Sequence, residues 1–144
     1  MKRYFFIIIG LIFSVLFLTA CKDKLTGVVT NYHENGTPQK ILYYNIKKGD
    51  SILLKSVEYH ENNTVYIEGS YKNGKRNGEW KSWYENGNLW SVGTFNEGAQ
   101  VGKTETYYEN GNLRYSGNYD QESKCTGTWK FYDENNNLIQ TVEY

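Results

Sequence analysis

Beyond residue 27 the chain alternates apolar and polar side chains in runs that return at a nearly constant distance along the sequence. Val65, Ile67, Gly69 and Tyr71 form one run. Leu89, Ser91, Gly93 and Phe95 repeat it, as do Leu113, Tyr115, Gly117 and Tyr119, and then Leu138, Gln140, Val142 and Tyr144. A period of two sends successive side chains to opposite faces of a strand, so each run predicts a β-strand with one structural face. Before each run stands an aromatic residue followed by Glu-Asn-Gly or Glu-Asn-Asn. Five such blocks begin at Tyr32, Tyr59, Trp83, Tyr107 and Tyr132, with spacings of 27, 24, 24 and 25 residues. Gly78, Gly102 and Gly127 recur in phase with them. A repeat of this length implies a stacked array in which each unit buries its faces against its neighbours. Such an object displays a surface rather than building one deep pocket.

Asn-Gly between alternating apolar residues is a strong hairpin signal, because a type I′ turn needs positive φ at both central positions. A two-residue loop at Asn86-Gly87 predicts that Trp83 faces Trp90, Ser82 faces Ser91 and Trp80 faces Gly93. The same loop at Asn110-Gly111 pairs Tyr108 with Leu113 and Thr104 with Gly117. Trp80 is then expected to lie across Gly93 on the packed face, since a glycine lets a large ring lie flat across a strand, and Gly111, Gly117 and Trp129 are counted with them as structural residues of the repeat. Trp83 and Trp90 are expected on the other face, which together with Tyr107 forms the candidate binding surface. Residues 72–78 read as a longer polar surface loop joining hairpins, and residues 42–54 as a capping unit with an irregular loop. The predicted fold is all-β, an elongated antiparallel meander of consecutive β-hairpins over residues 28–144.

The first 21 residues obey other rules. Lys2-Arg3, an apolar stretch from Tyr4 to Leu18 and the ending Leu18-Thr19-Ala20-Cys21 read as a secretory signal. The competing reading is an uncleaved membrane helix, at the lower limit of about 17 spanning residues. The ending resembles the lipobox of bacterial lipoproteins, which implies acylation of Cys21 and a lipid-anchored mature chain. Lys22, in place of the aspartate linked with inner-membrane retention, favours the outer membrane. Residues 22–27 would serve as a tether of roughly 20 Å at about 3.3 Å per extended residue.

Charge removes one class of partner. Without the signal, 14 basic residues face 16 acidic ones, so the chain lacks the basic excess that nucleic-acid binding draws on. Of the two cysteines, Cys125 is left alone once Cys21 carries lipid; a lone cysteine of this kind is more often a small buried hydrophobe than a reactive thiol. Nineteen of the 24 aromatic residues follow Cys21 while aliphatic residues are sparse, a composition that covers a sheet with rings but does not fill a thick sandwich interior.

Tyr107-Tyr108-Glu109-Asn110-Gly111-Asn112-Leu113, followed by Gly117, Tyr119, Gly127 and Trp129, resembles the MORN repeat in its bacterial variant form. The match covers about Tyr59 to Tyr132 and, less closely, Tyr32 to Leu54. Departures are Asn63 and Asn136 at the turn glycine, Val142 at the strand glycine, and Thr104 where neighbouring units carry Trp80 and Trp129. The resemblance implies a rod or trough of hairpins used as a scaffold or membrane-associated module, and some bacterial relatives carry an antitoxin label.

Catalysis is not expected. Glu34, Glu61, Glu85, Glu109 and Glu134 recur about 9.6 Å apart, near the spacing of an inverting glycosidase pair, but a catalytic pair needs two different environments and these share one. His33 and His60 occupy equivalent slots without the further donors that a closed zinc site requires. Neither a metal nor another cofactor is expected, and no nucleophile signature or phosphate cradle is present. The aromatic face then ranks a protein segment first as partner, a glycan second and lipid third, with an antitoxin-type binder of a toxin as an alternative form of the first.

Overall fold

The computed structural model describes residues 25–47 and 49–144; the signal, Cys21 and residues 22–24 of the expected tether lie outside them. Ten strands follow in order: β1 (Leu25–Tyr32), β2 (Pro38–Lys47), β3 (Asp50–Tyr59), β4 (Val65–Lys72), β5 (Lys75–Trp83), β6 (Leu89–Asn96), β7 (Ala99–Tyr107), β8 (Leu113–Tyr119), β9 (Cys125–Tyr132) and β10 (Leu138–Glu143). They form one antiparallel sheet in sequential order. No helix occurs among the described residues. Leu25, Thr26 and Gly27, expected in the tether, pair with Asn45, Tyr44 and Tyr43 as the start of β1. Where an irregular loop was expected within 42–54, β2 instead pairs with β3 as far as Lys47 and Asp50, with a bulge at Leu54.

The turns differ from the expected ones in an instructive way. At Glu85-Asn86-Gly87 the loop has three residues: the Tyr84 N–H donates to the Asn88 carbonyl at 2.9 Å and the Gly87 N–H to the Tyr84 carbonyl at 2.9 Å. Positive φ falls on Gly87 (86°) but not on Asn86, which is a type I turn closed by a bulged glycine rather than type I′. Equivalent loops place Gly36, Asn63, Gly111 and Asn136 at φ 83°, 65°, 87° and 65°. The third loop residue should shift the register by one, and it does so locally: Trp83 faces Leu89, not Trp90. A bulge at Trp90 then restores the expected pairs Ser82 with Ser91 and Trp80 with Gly93. Tyr108 likewise closes its loop against Asn112 instead of facing Leu113, which pairs with Tyr107, while Thr104 meets Gly117 as expected.

Type I′ chemistry appears at the opposite edge. Lys72 pairs with Lys75 and Asn96 with Ala99, leaving two-residue loops whose φ values are 51° and 74° at Asn73-Gly74 and 49° and 96° at Glu97-Gly98. The expected loop 72–78 is thus mostly strand. Its later glycine serves a bulge: Gly69 pairs with Trp80 but Ser70 with Asn77, so Gly78 and Glu79 bulge from β5 toward β4. Gly78, Gly102 and Gly127 take φ of 80°, 67° and 64°, and an added Cβ would meet nothing within 4 Å. Backbone conformation, not close packing, requires glycine there.

Packing is concentrated under two indoles. Val57, Trp80, Val101 and Trp129 are the buried apolar side chains among the described residues, and Trp80 is only 4% exposed. Trp80 does not lie across Gly93, as expected, but across Gly69: a Cβ built there would sit 2.1 Å from the indole. Trp129 covers Gly117 at the same 2.1 Å. Each ring therefore leans toward the preceding strand. Tyr71 and Phe95 meet Trp80 edge-on at 5.3 and 6.1 Å, and Tyr119 meets Trp129 edge-on at 5.1 Å, a favoured aromatic geometry.

Two outcomes follow. Gly117→Ala drives a methyl into Trp129 and should cost about 1–3 kcal/mol or more, whereas Gly93→Ala meets first the flexible end of Gln100 at 2.7 Å and should cost less; thermal unfolding of the two variants checks the order. Gly111→Val places a β-branched residue at positive φ and should cost roughly 1–3 kcal/mol, while Gly111→Asn copies what Asn136 already does and should cost much less. Equal losses of melting temperature would contradict the turn assignment.

Candidate functional site

The loops along one edge of the sheet are tied to each other by a ladder of side chains. His33 Nε2 contacts the Tyr59 carbonyl at 2.9 Å and His60 Nε2 the Trp83 carbonyl at 2.9 Å. In the next two units the same slot holds tyrosine, whose hydroxyls donate from Tyr84 to the Tyr107 carbonyl and from Tyr108 to the Tyr132 carbonyl, both at 2.8 Å. A carbonyl can only accept, so Nε2 is the donor in both histidine rungs. Asparagine supplies a second rung: the Nδ2 groups of Asn35, Asn62, Asn86 and Asn110 donate to the carbonyls of Glu61, Glu85, Glu109 and Glu134 at 3.3, 3.1, 3.2 and 2.9 Å. Each asparagine Oδ1 also accepts the N–H two residues on, as from Asn88 to Asn86 at 2.9 Å. This is why the turn is type I: the asparagine serves through its amide group rather than through tolerance of positive φ.

These contacts assign the residues that looked like chemistry. Of the repeated glutamates, Glu61, Glu85, Glu109 and Glu134 contribute their backbone carbonyls, and the Glu85 side chain is 73% exposed. His33 and His60 are rungs of the ladder, and no group of three or more His, Cys, Asp or Glu residues that could hold a metal occurs among the described residues. Asp133, in the last copy of the slot, folds onto its own loop, accepting from the N–H of Asn135 and Asn137 and from the Asn137 amide. Hydrogen bonds from the Asn137 side chain and backbone hold its carboxyl below the usual range. Cys125 is half-buried and free.

Beside the ladder lies a shallow depression of about 250 Å³ lined by His60, Tyr66, Trp83, Tyr84, Trp90, Glu85 and Glu109. Trp90 stacks at 6.2 Å on Tyr66 and packs at 5.8 Å against Tyr84, and His60 meets Tyr66 edge-on at 5.0 Å. Trp90 and Tyr66 hold equivalent places, the bulged residue just after each three-residue loop, which turns both toward the same face. Burial pushes the Tyr84 phenol up, the Arg114 guanidinium opposes this and Glu109 adds to it, so the hydroxyl stays protonated as a donor.

Of the candidate residues, Trp83 and Trp90 both border this depression and Tyr107 does not; Trp83 pairs with Leu89, and its carbonyl contacts His60. The Tyr107 hydroxyl donates to Glu105 Oε2 at 3.1 Å, and its carbonyl accepts from Tyr84. Sequence reasoning missed Tyr66 and the lining role of His60 and Tyr84. The available signal was the fourth position after each loop asparagine, where Tyr66 and Trp90 both stand. The structural candidates are placed as described above: Trp80 and Trp129 are buried, Gly117 lies under Trp129, Gly111 closes a loop, and Gly93 lacks a covering ring.

The family described as MORN repeat variant matches residues 25–45, 54–73, 76–97, 100–121 and 126–144. No curated protein matches the chain. Among solved structures, the one titled "Crystal Structure of TarM" is similar at a TM-score of 0.45 and 18% identity, over 83% of this chain and 21% of that one. The chain therefore spans about a fifth of that protein's length.

Tyr84→Phe removes one rung and leaves the Tyr107 carbonyl without that donor. A loss of about 1 kcal/mol is expected, read as a lower melting temperature with the β-sheet circular dichroism retained.

Proposed function

Because the chain belongs to the MORN repeat variant family, we propose that it is a non-enzymatic protein-interaction scaffold, held at the bacterial cell envelope by lipid on Cys21. The observation that carries the reading is the ring-lined depression around Trp90. Tryptophan and tyrosine are enriched at the energetic centres of protein interfaces, and a shallow, open floor of rings suits a protruding side chain of a partner better than an enclosed substrate. The sheet is a single layer among the described residues, so this face has no second sheet of its own to cover it. Binding is also a common use of MORN-type arrays.

A second reading is favoured by the presence of Glu85 and Glu109 in the lining: rings flanked by residues rich in hydrogen-bond acceptors also suit a glycan. An antitoxin or immunity role is the first reading with a toxin as partner, supported only by the family likeness. Attachment rests on the Leu18-Thr19-Ala20-Cys21 ending, and preference for the outer membrane on Lys22.

Crosslinking on intact cells should capture a defined protein with the natural chain, and Trp90→Ala should lose that capture while keeping its sheet signal. Sedimentation with purified peptidoglycan that is lost in the same variant would instead favour the glycan. Cys21→Ser should abolish incorporation of a labelled fatty acid, and label persisting in that variant would sink the lipid anchor.

A further inference from the structure

The repeat leaves one of its own seats empty. Trp80 in β5 and Trp129 in β9 lie on Gly69 and Gly117, and each indole N–H donates to the carbonyl of the residue after its glycine: Ser70 at 3.1 Å and Asn118 at 3.2 Å. The unit between them has the glycine, Gly93, and the following residue, Thr94. At the position facing Gly93 in β7, however, stands Thr104. The result is a cleft of about 200 Å³ bordered by Trp80, Phe95, Thr104, Tyr115 and Arg76. Gln100 plugs it. In β5 the residue at the place of Gln100 is Arg76, which stacks at 4.2 Å over the Trp80 ring. With no ring beneath it, the Gln100 amide drops toward Gly93, so that an added Cβ there would lie 2.7 Å from Nε2, and it rests on the Thr104 hydroxyl at 3.2 Å.

We propose that this cleft is a docking seat for the tryptophan side chain of a partner protein. The two flanking units show which group the seat accommodates: an indole lying flat on the glycine, with its N–H directed at the next carbonyl. A puckered sugar ring cannot lie flat on that floor, and a ring without a donor cannot make the bond that the flanking indoles make to the Ser70 and Asn118 carbonyls. A free indole would be buried on one side only and held weakly, in the millimolar range, whereas a side chain delivered by a partner brings further contacts with it. Gln100 is held by a single side-chain hydrogen bond and can swing aside without backbone movement. The seat lies on the Trp80 face and is separate from the depression around Trp90, so it stands or falls independently of that site.

The test is a nuclear magnetic resonance titration of the folded protein with three probes: indole, and the blocked tripeptides Gly-Trp-Gly and Gly-Phe-Gly. The tryptophan peptide should shift the Gly93 and Thr94 amides and the Gln100 side-chain amide saturably, and should bind roughly fivefold tighter than the phenylalanine peptide, as one added hydrogen bond allows. Thr104→Trp should fill the seat from within, abolish these shifts and raise the melting temperature. Gln100→Ala should remove the plug and tighten binding severalfold, which keeps the test decisive if Thr104→Trp does not fold. Absence of shifts at Gly93 and Thr94 up to about 10 mM peptide, or affinity unchanged in either variant, overturns the proposal. Binding of free indole without the tryptophan peptide also overturns it, in favour of a small-molecule site. Trp90→Ala should leave all of these shifts unchanged.

Discussion

An indole pressed flat on a glycine is the contact on which this sheet depends. A single layer has no opposing sheet to bury its apolar groups, so cover must come from within the layer. Trp80 and Trp129 provide it by lying across the neighbouring strand, where only glycine permits such an approach. The small residues beneath follow from this: Ser56, opposite Gly69, is 1% exposed, and the Ser82 and Ser91 hydroxyls share a 2.7 Å hydrogen bond on the same face. Deleting one ring, as Thr104 does, opens a cleft rather than unravelling the sheet, because flanking units keep their own pairs of ring and glycine.

The ladder at the turn edge answers a different need. Adjacent hairpins pair their strands, but their loops would hang free without lateral ties. One slot accepts histidine or tyrosine because both end in a hydrogen-bond donor at about the right reach, and the carbonyl of the next unit asks for nothing more. Aspartate cannot donate when ionised, and Asp133 is found where it turns inward to stabilise its own loop. The solvent-accessible ion pairs that decorate the sheet, such as Lys40 with Glu58 at 2.9 Å and Lys81 with Glu79 at 2.7 Å, contribute little by comparison.

Much of this was legible in the chain, and the parts that were not share a cause. Strand periodicity and the spacing of the blocks led to the correct hairpins, and the pairing of Trp80 with Gly93 was right although the loop was wrong, since a third loop residue and the bulge at Trp90 cancel. The turn type was misjudged because Asn86 is committed to the Glu109 carbonyl 23 residues away, an interaction that no local propensity contains. For the same reason the glycine beneath Trp80 was sought on the following strand and found on the preceding one: pairing fixes which residues are opposite, not which way a ring leans. Trp90 was singled out with Trp83 as its expected partner, but its ring neighbours are Tyr66 and Tyr84, because bulged positions fall outside a simple alternation.

The sequential strand order carries a mechanical consequence. All extensive contacts run between strands adjacent in the chain, and β1 and β10 lie at the two ends of the sheet. A force applied between the termini therefore loads interstrand hydrogen bonds one after another, like opening a zip, and not as a shear across many at once. Such a sheet yields at low force and in hairpin-sized steps, and it can release length while the units still folded keep their rings seated.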